Sequence, residues 1–214
     1  MAVKAKLLCI GVLLVISVTF AFVRNLPWHW LVCAALGFSW LGDAMLSRYA
    51  PLAHRVRDPF VAGMGCFALA QIVYIIALRG AMHTLPTMHM PKPGAILGIS
   101  VIGTTLPVCW LAVVFFWLLT VLRTDQAHPL KIAVLLYGLI VSTMAAYACA
   151  AAFTGTGFVW ILPLGGLLFM FSDACIALRL FQDRFQNKTF YEVAVWGTYV
   201  PAQICLLLGV FILA

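Results

Sequence analysis

The sequence predicts an all-α fold, a polytopic transmembrane helical bundle of about seven spans that forms a single integral membrane domain over residues 1–214. Three observations carry this reading. Hydrophobic residues fill 65% of the 214 positions and charged residues only 9%, against about 25% charged in a soluble domain. The mean hydropathy is +1.10. Uncharged stretches run through the whole chain: Leu7–Val23, Asn25–Gly42, Pro59–Leu78, Pro93–Leu122, Ile132–Ser172 and Val193–Ala214. Each is long enough to cross a hydrocarbon core at about 1.5 Å per residue. A soluble enzyme, a disordered tail and a secreted disulfide scaffold are excluded together.

The elements follow in order. Span one, 7–23, comes after Lys4 and Lys6 and looks like a signal peptide. No A-x-A pattern follows near Phe22, so an uncleaved helix is expected. Span two, 29–47, holds Asp43; span three, 59–78, holds Gln71 and Tyr74. Span four, 94–120, is expected to be one long helix, tilted or kinked at Pro107. The stretch Ile132–Ser172 is long enough for two crossings, 131–153 and 158–178, with Thr154-Gly155-Thr156-Gly157 as the turn. Span seven covers 191–213.

Loop charges set the expected orientation and test span four. With seven spans, the N-terminal side holds Lys4, Lys6, Arg48, Arg55, Arg57, Arg123, Lys131, Arg179, Arg184 and Lys188, and the other side Arg24, Arg79 and Lys92. That 10-to-3 split predicts a cytoplasmic N-terminus and an outside C-terminus. Two helices in 94–120 would turn the split into 5 to 8. The net charge of +7 is therefore explained by topology, and no nucleic-acid partner is expected.

The seven cysteines fall one per span, at 9, 33, 66, 109, 149, 175 and 205, with no CxxC pair, and read as packing residues. The histidines, His29, His54, His83, His89 and His128, lie in predicted loops or at span ends. A zinc hydrolase would want several histidines facing the bundle interior, so neither a metal nor another cofactor is expected.

Only two acidic residues lie within spans, in Gly42-Asp43-Ala44 and Ser172-Asp173-Ala174. A carboxyl in the membrane is expensive and is a functional candidate by default, with an interhelical ion pair or clamp as the alternative. Arg48 is five residues after Asp43 and Arg179 six after Asp173, so neither matches the i+3 or i+4 spacing that pairs residues on one helix face. Both carboxyls are expected in the cytoplasmic third of the bilayer, among small residues that allow close helix approach. Two acids at one level are the minimal set for general acid and general base. Tyr137 lies early in span five, and the pairs Gln71/Tyr74 and Tyr199/Gln203 each share a helix face.

Read in order, these segments resemble the YhhN family of lysoplasmalogenase-like membrane proteins. The resemblance starts with Ser39-Trp40-Leu41-Gly42-Asp43-Ala44-Met45-Leu46 and continues through Gly63 and Phe67-Ala68-Leu69-Ala70-Gln71-Ile72-Val73-Tyr74. Tyr137, Met144, Leu162-Pro163-Leu164-Gly165-Gly166-Leu167-Leu168-Phe169, Ser172-Asp173 and Tyr199-Val200-Pro201-Ala202-Gln203 look like the later motifs. It spans about residues 30–205; its specificity lies in the ordered set. The resemblance implies hydrolysis of the vinyl-ether bond of a lysoplasmalogen to a fatty aldehyde and a glycerophospho-base, with Asp43 and Asp173 as catalytic residues. The family usually has His where this chain has Gln71, and is usually drawn with eight spans, two before the Gly-Asp motif, where this chain has one.

The expected function is thus an intramembrane lipid hydrolase at the plasma (inner) membrane. A membrane lipid or lysophospholipid is its partner, and Gln71, Tyr74, Tyr137, Tyr199, Gln203, Arg48 and Arg179 are the candidate substrate-binding residues. The alternatives are a proton-coupled transporter using the same carboxyls as a relay and a non-catalytic lipid-binding protein.

Overall fold

A computed structural model describes residues 2–47, 56–84, 93–153, 160–182 and 187–213. Among them are seven α-helices and no strand: α1 (Ala2–Arg24), α2 (Pro27–Leu46), α3 (Pro59–Thr84), α4 (Pro93–Thr120), α5 (His128–Ala152), α6 (Ile161–Gln182) and α7 (Lys188–Leu213). All seven are long and apolar enough to cross a membrane. The fourth span is one helix of 28 residues with Pro107 inside it, as the loop charges required. The Thr154–Gly157 turn lies outside the described residues. Several helices overrun the expected spans: α3 carries Arg79 in its last turns, and α6 extends past 178 to Gln182. Arginine stems can lie along apolar surface with the guanidinium in water, so a helix need not stop where the hydrocarbon does.

The chain forms two compact units, Met1–His83 and Thr84–Ala214. In the first, α1 and α2 make an antiparallel hairpin whose turn is written in Asn25-Leu26-Pro27. Asn25 has φ +48°, a left-handed conformation that asparagine tolerates better than most residues, and its N–H donates to Ala21 O at 2.8 Å. Leu26 is extended at φ −97°, ψ 140°, as a residue before proline must be. Pro27 then opens α2 where no N–H is needed. Side chains tie the two arms: Ser17 Oγ lies 3.0 Å from Cys33 Sγ, and Trp40 Nε1 donates to Leu7 O at 3.0 Å. α3 starts on an Asp58 cap, whose Oδ1 accepts from Phe60 N at 3.0 Å and Val61 N at 3.3 Å. It meets α2 glycine to glycine: a Cβ at Gly63 would lie 3.1 Å from Gly42 O, and one at Gly42 3.2 Å from Gly63 O.

In the second unit α4, α5, α6 and α7 each run antiparallel to the one before. Trp110 Nε1 donates to Thr143 Oγ1 at 3.0 Å and Trp117 Nε1 to Lys131 O at 2.8 Å, joining α4 to α5. Lys131 itself is buried, and its ammonium donates to Leu122 O at 3.1 Å and to Thr124 O, tying down the turn that follows α4. α5 meets α6 where Gly166 sits against Ala145; a Cβ there would come within 2.9 Å of the Ala145 backbone. α6 meets α7 where Gly165 lies 3.1 Å from Ala202 O, measured from an added Cβ. Lipid tails are as apolar as leucine, so close backbone packing replaces the hydrophobic drive between such helices.

Candidate functional site

Asp43 lies in α2, three residues before its end, and is 0% exposed. Its partner comes from the neighbouring helix: Lys6 Nζ is 2.5 Å from Asp43 Oδ1, and Lys6 is 13% exposed. The hairpin dictates this contact. Lys6 is 19 residues before Asn25 and Asp43 18 after it, so at about 1.5 Å per residue the two arms bring them level. Gly42, one residue earlier, presents its open face to Gly63 of α3 and to the Phe67 ring. Asp43 thus faces α1 while its neighbour lets α3 close in.

On α3, Gln71 and Tyr74 are each 0% exposed, as their three-residue spacing implied for a shared inward face. Neither amide atom of Gln71 has a hydrogen-bond partner among the described residues, and the same holds for Trp28 Nε1. An unsatisfied buried amide costs about 1–3 kcal/mol, so the Gln71 position is not explained by packing alone.

Asp173 lies in α6 and is half-buried. Tyr137 of α5 donates its hydroxyl proton to Asp173 Oδ2 at 2.7 Å. The symmetry of the first hairpin recurs: Tyr137 and Asp173 each stand 18 residues from Gly155. Ser172 Oγ, the preceding residue, donates to Val195 O of α7 at 3.3 Å. Further along α6, the Arg179 guanidinium stacks on the Tyr191 ring at 4.1 Å from its centroid, an attraction between a cation and an aromatic face. Tyr191 interacts electrostatically with Asp173, Cys175, Arg179 and Glu192, so these groups share one end of the α6–α7 pair. Tyr199 and Gln203 are buried on α7, with Tyr199 edge-on to Phe169 at 5.5 Å.

The structure therefore joins Tyr137 to Asp173 and sets Gln71 beside Tyr74 on one buried face of α3. Arg48 lies outside the described residues. Asp43 and Asp173 belong to different units, and each has its own partner. His29 lies at the start of α2, the expected span end, and is 0% exposed; the helix begins at Pro27, two residues before the expected boundary. Among the described residues no three of His, Cys, Asp and Glu cluster to hold a metal ion.

Lys6 and Tyr191 carry contacts that the sequence reading did not assign. In the sequence Lys6 reads as topological charge, because i+3 and i+4 spacing reveals pairing only within one helix. Folding the chain about Asn25-Leu26-Pro27 would have placed it opposite Asp43. Tyr191 carries no such signal, since its ring becomes notable only once α7 lies along α6.

The family model described as the YhhN family matches residues 1–210. No curated protein and no solved structure matches the chain.

Proposed function

The chain belongs to the YhhN family, and from that premise we propose that it is an intramembrane lipid hydrolase that cleaves the vinyl-ether bond of a lysoplasmalogen. The observation that carries the reading is the arrangement on α6. Asp173, a carboxyl within an apolar helix, is held by the Tyr137 hydroxyl at 2.7 Å. Arg179 follows six residues on, about 9 Å along the helix axis. The substrate's reactive ether and phosphate lie a few bonds apart, so the reading gives the ether to Asp173 and the phosphate to a cation nearer the end of the same helix. Vinyl-ether hydrolysis needs a proton delivered to carbon and water added to an oxocarbenium-like centre. The proposal gives these tasks to Asp43 and Asp173, in the way that carboxyls divide them in glycosidases.

Supporting roles follow from chemistry. Arg179 receives the lipid phosphate, with Arg48 as a second candidate. Gln71 offers a buried donor and acceptor to the substrate, and Tyr74, Tyr137, Tyr199 and Gln203 line its path. The basic excess on one set of loops supports a cytoplasmic N-terminus and residence in the plasma (inner) membrane. The test is purified protein with a lysoplasmalogen and aldehyde detection. Release of aldehyde supports the reading; its absence from folded protein, across head groups, overturns it.

One observation favours a second reading. Lys6, 13% exposed, pairs with the buried Asp43 carboxyl, an acid–base pair that also suits a proton-coupled transporter. Proton-driven flux in proteoliposomes without aldehyde release would select it.

A further inference from the structure

Gln71 stands 12 residues after Pro59 and 13 before Thr84, so either end of α3 is about 18–20 Å away along the axis. It is 0% exposed, and neither its Oε1 nor its Nε2 bonds any described residue. Lipid tails offer no donor and no acceptor. A ligand that completes this amide must accept from Nε2 and donate to Oε1, and it must be small enough for protein to enclose. A water molecule meets both conditions, and buried waters settle where a few polar groups converge.

Polar groups from three helices converge near this depth. Tyr74, one turn after Gln71 on the same face of α3, is 0% exposed and interacts electrostatically with Cys33 of α2. Cys33 Sγ lies 3.0 Å from Ser17 Oγ of α1, and Ser17 is also 0% exposed. The register of α2 against α3 then sets the amide on the way to Asp43. A Cβ at Gly42 would meet the Phe67 ring, and Tyr74 is the neighbour of Cys33. Gln71, between Phe67 and Tyr74, thus stands opposite the stretch of α2 from Cys33 to Gly42. Ser39, 0% exposed, lies in that stretch, four residues before Asp43 and on the same face of the helix. Every residue in this set belongs to the first unit.

We infer that Gln71 binds an internal water molecule between α2 and α3, and that the reaction draws the water it consumes from this site. The inference rests on the hydrolase reading above and deepens it: of the two molecules that react, Gln71 takes the water. A hydrolase in hydrocarbon needs such a site. Asp43 is 0% exposed, so water reaches it only past buried groups. Gln71 holds that water in place, and Ser39 is the next polar group toward the carboxyl.

X-ray radiolysis of the purified protein turns bound water into hydroxyl radicals that oxidise the side chains beside it, and mass spectrometry then reads internal water residue by residue. Tyr74 should be oxidised in the native chain although it is buried. Gln71→Leu should abolish that oxidation, and Gln71→Asn, which keeps a donor and an acceptor, should retain it. In the aldehyde assay Gln71→Leu should leave KM unchanged and lower kcat by about 10²-fold, the size expected when a reacting group loses its placement. A Tyr74 that is not oxidised in the native chain, or is oxidised equally in Gln71→Leu, overturns the site. A raised KM with unchanged kcat means that the amide holds the lipid, and overturns its assignment to water. Normal kcat in a Gln71→Leu chain that has lost the Tyr74 oxidation overturns the role in the reaction. If the native chain releases no aldehyde with any head group, the hydrolase reading fails and takes that role with it, while the oxidation pattern still decides the binding site. Should Gln71→Leu not fold, Gln71→Met, closer in shape to glutamine, takes its place; failure of both to fold means that the amide is bonded within the protein, and overturns the inference.

Discussion

Lys6 and Asp43 are the pair whose energetics can be tested most directly. Removing one member of a buried ion pair strands the other charge, at a cost of about 3–5 kcal/mol, whereas replacing both with uncharged groups is often neutral. Lys6→Met should therefore lower the thermal unfolding midpoint more than Lys6→Met/Asp43→Asn does; equal midpoints would mean the ammonium is not paired. Asp→Asn keeps shape and removes the titrating proton. If both carboxyls catalyse, Asp43→Asn and Asp173→Asn should each lose about 10²–10⁴-fold in turnover. The double variant should be little worse than the worse single one, because the groups act together. Full activity in a folded Asp43→Asn would reduce that residue to a clamp between α1 and α2. The sequence marked both aspartates, because a charge in an apolar run is conspicuous wherever the helix packs. It could not mark their partners with equal force: a lysine near an N-terminus and a tyrosine in a span are ordinary until the hairpins close.

At the scale of the element, the helices were legible and their contacts only partly so. Composition and uncharged length reveal seven spans because a bilayer imposes one requirement on every segment that crosses it. The loop charges and the length agree that Pro93–Thr120 is one helix, long enough that it must tilt or bend to fit the hydrocarbon. Which glycine meets which neighbour is set by rotation about the helix axis, and uniformly apolar helices give little sign of that rotation. Gly166 and Gly65 illustrate the difference. A Cβ at Gly166 would lie 2.9 Å from the Ala145 backbone, whereas at Gly65 it would meet nothing within 4 Å. Gly166→Ala should force α5 and α6 apart and cost about 1–3 kcal/mol, measured as a lower unfolding midpoint. Gly65→Ala should leave the midpoint unchanged or slightly raised. A neutral Gly166→Ala would show that the α5–α6 seam is looser than its geometry.

For the whole molecule, the orientation in the membrane is the property on which the substrate's side of approach depends. Reporter fusions after Arg57 and after Arg184 should both read cytoplasmic, and one after Lys92 should read outside. Disagreement between the first two would mean that an odd number of crossings separates them. The Lys6–Asp43 contact also makes the first helix more than a membrane anchor. Its 19 residues from Lys6 to Asn25 act as a ruler whose far end must arrive facing Asp43. One alanine inserted between them would swing Lys6 by about 100° and carry it about 1.5 Å along the axis, stranding the carboxylate as surely as deleting the lysine. If a peptidase removed this helix during export, Asp43 would lose the Lys6 ammonium, so a chain lacking α1 should show a lower unfolding midpoint than the full chain, by the same mechanism as Lys6→Met.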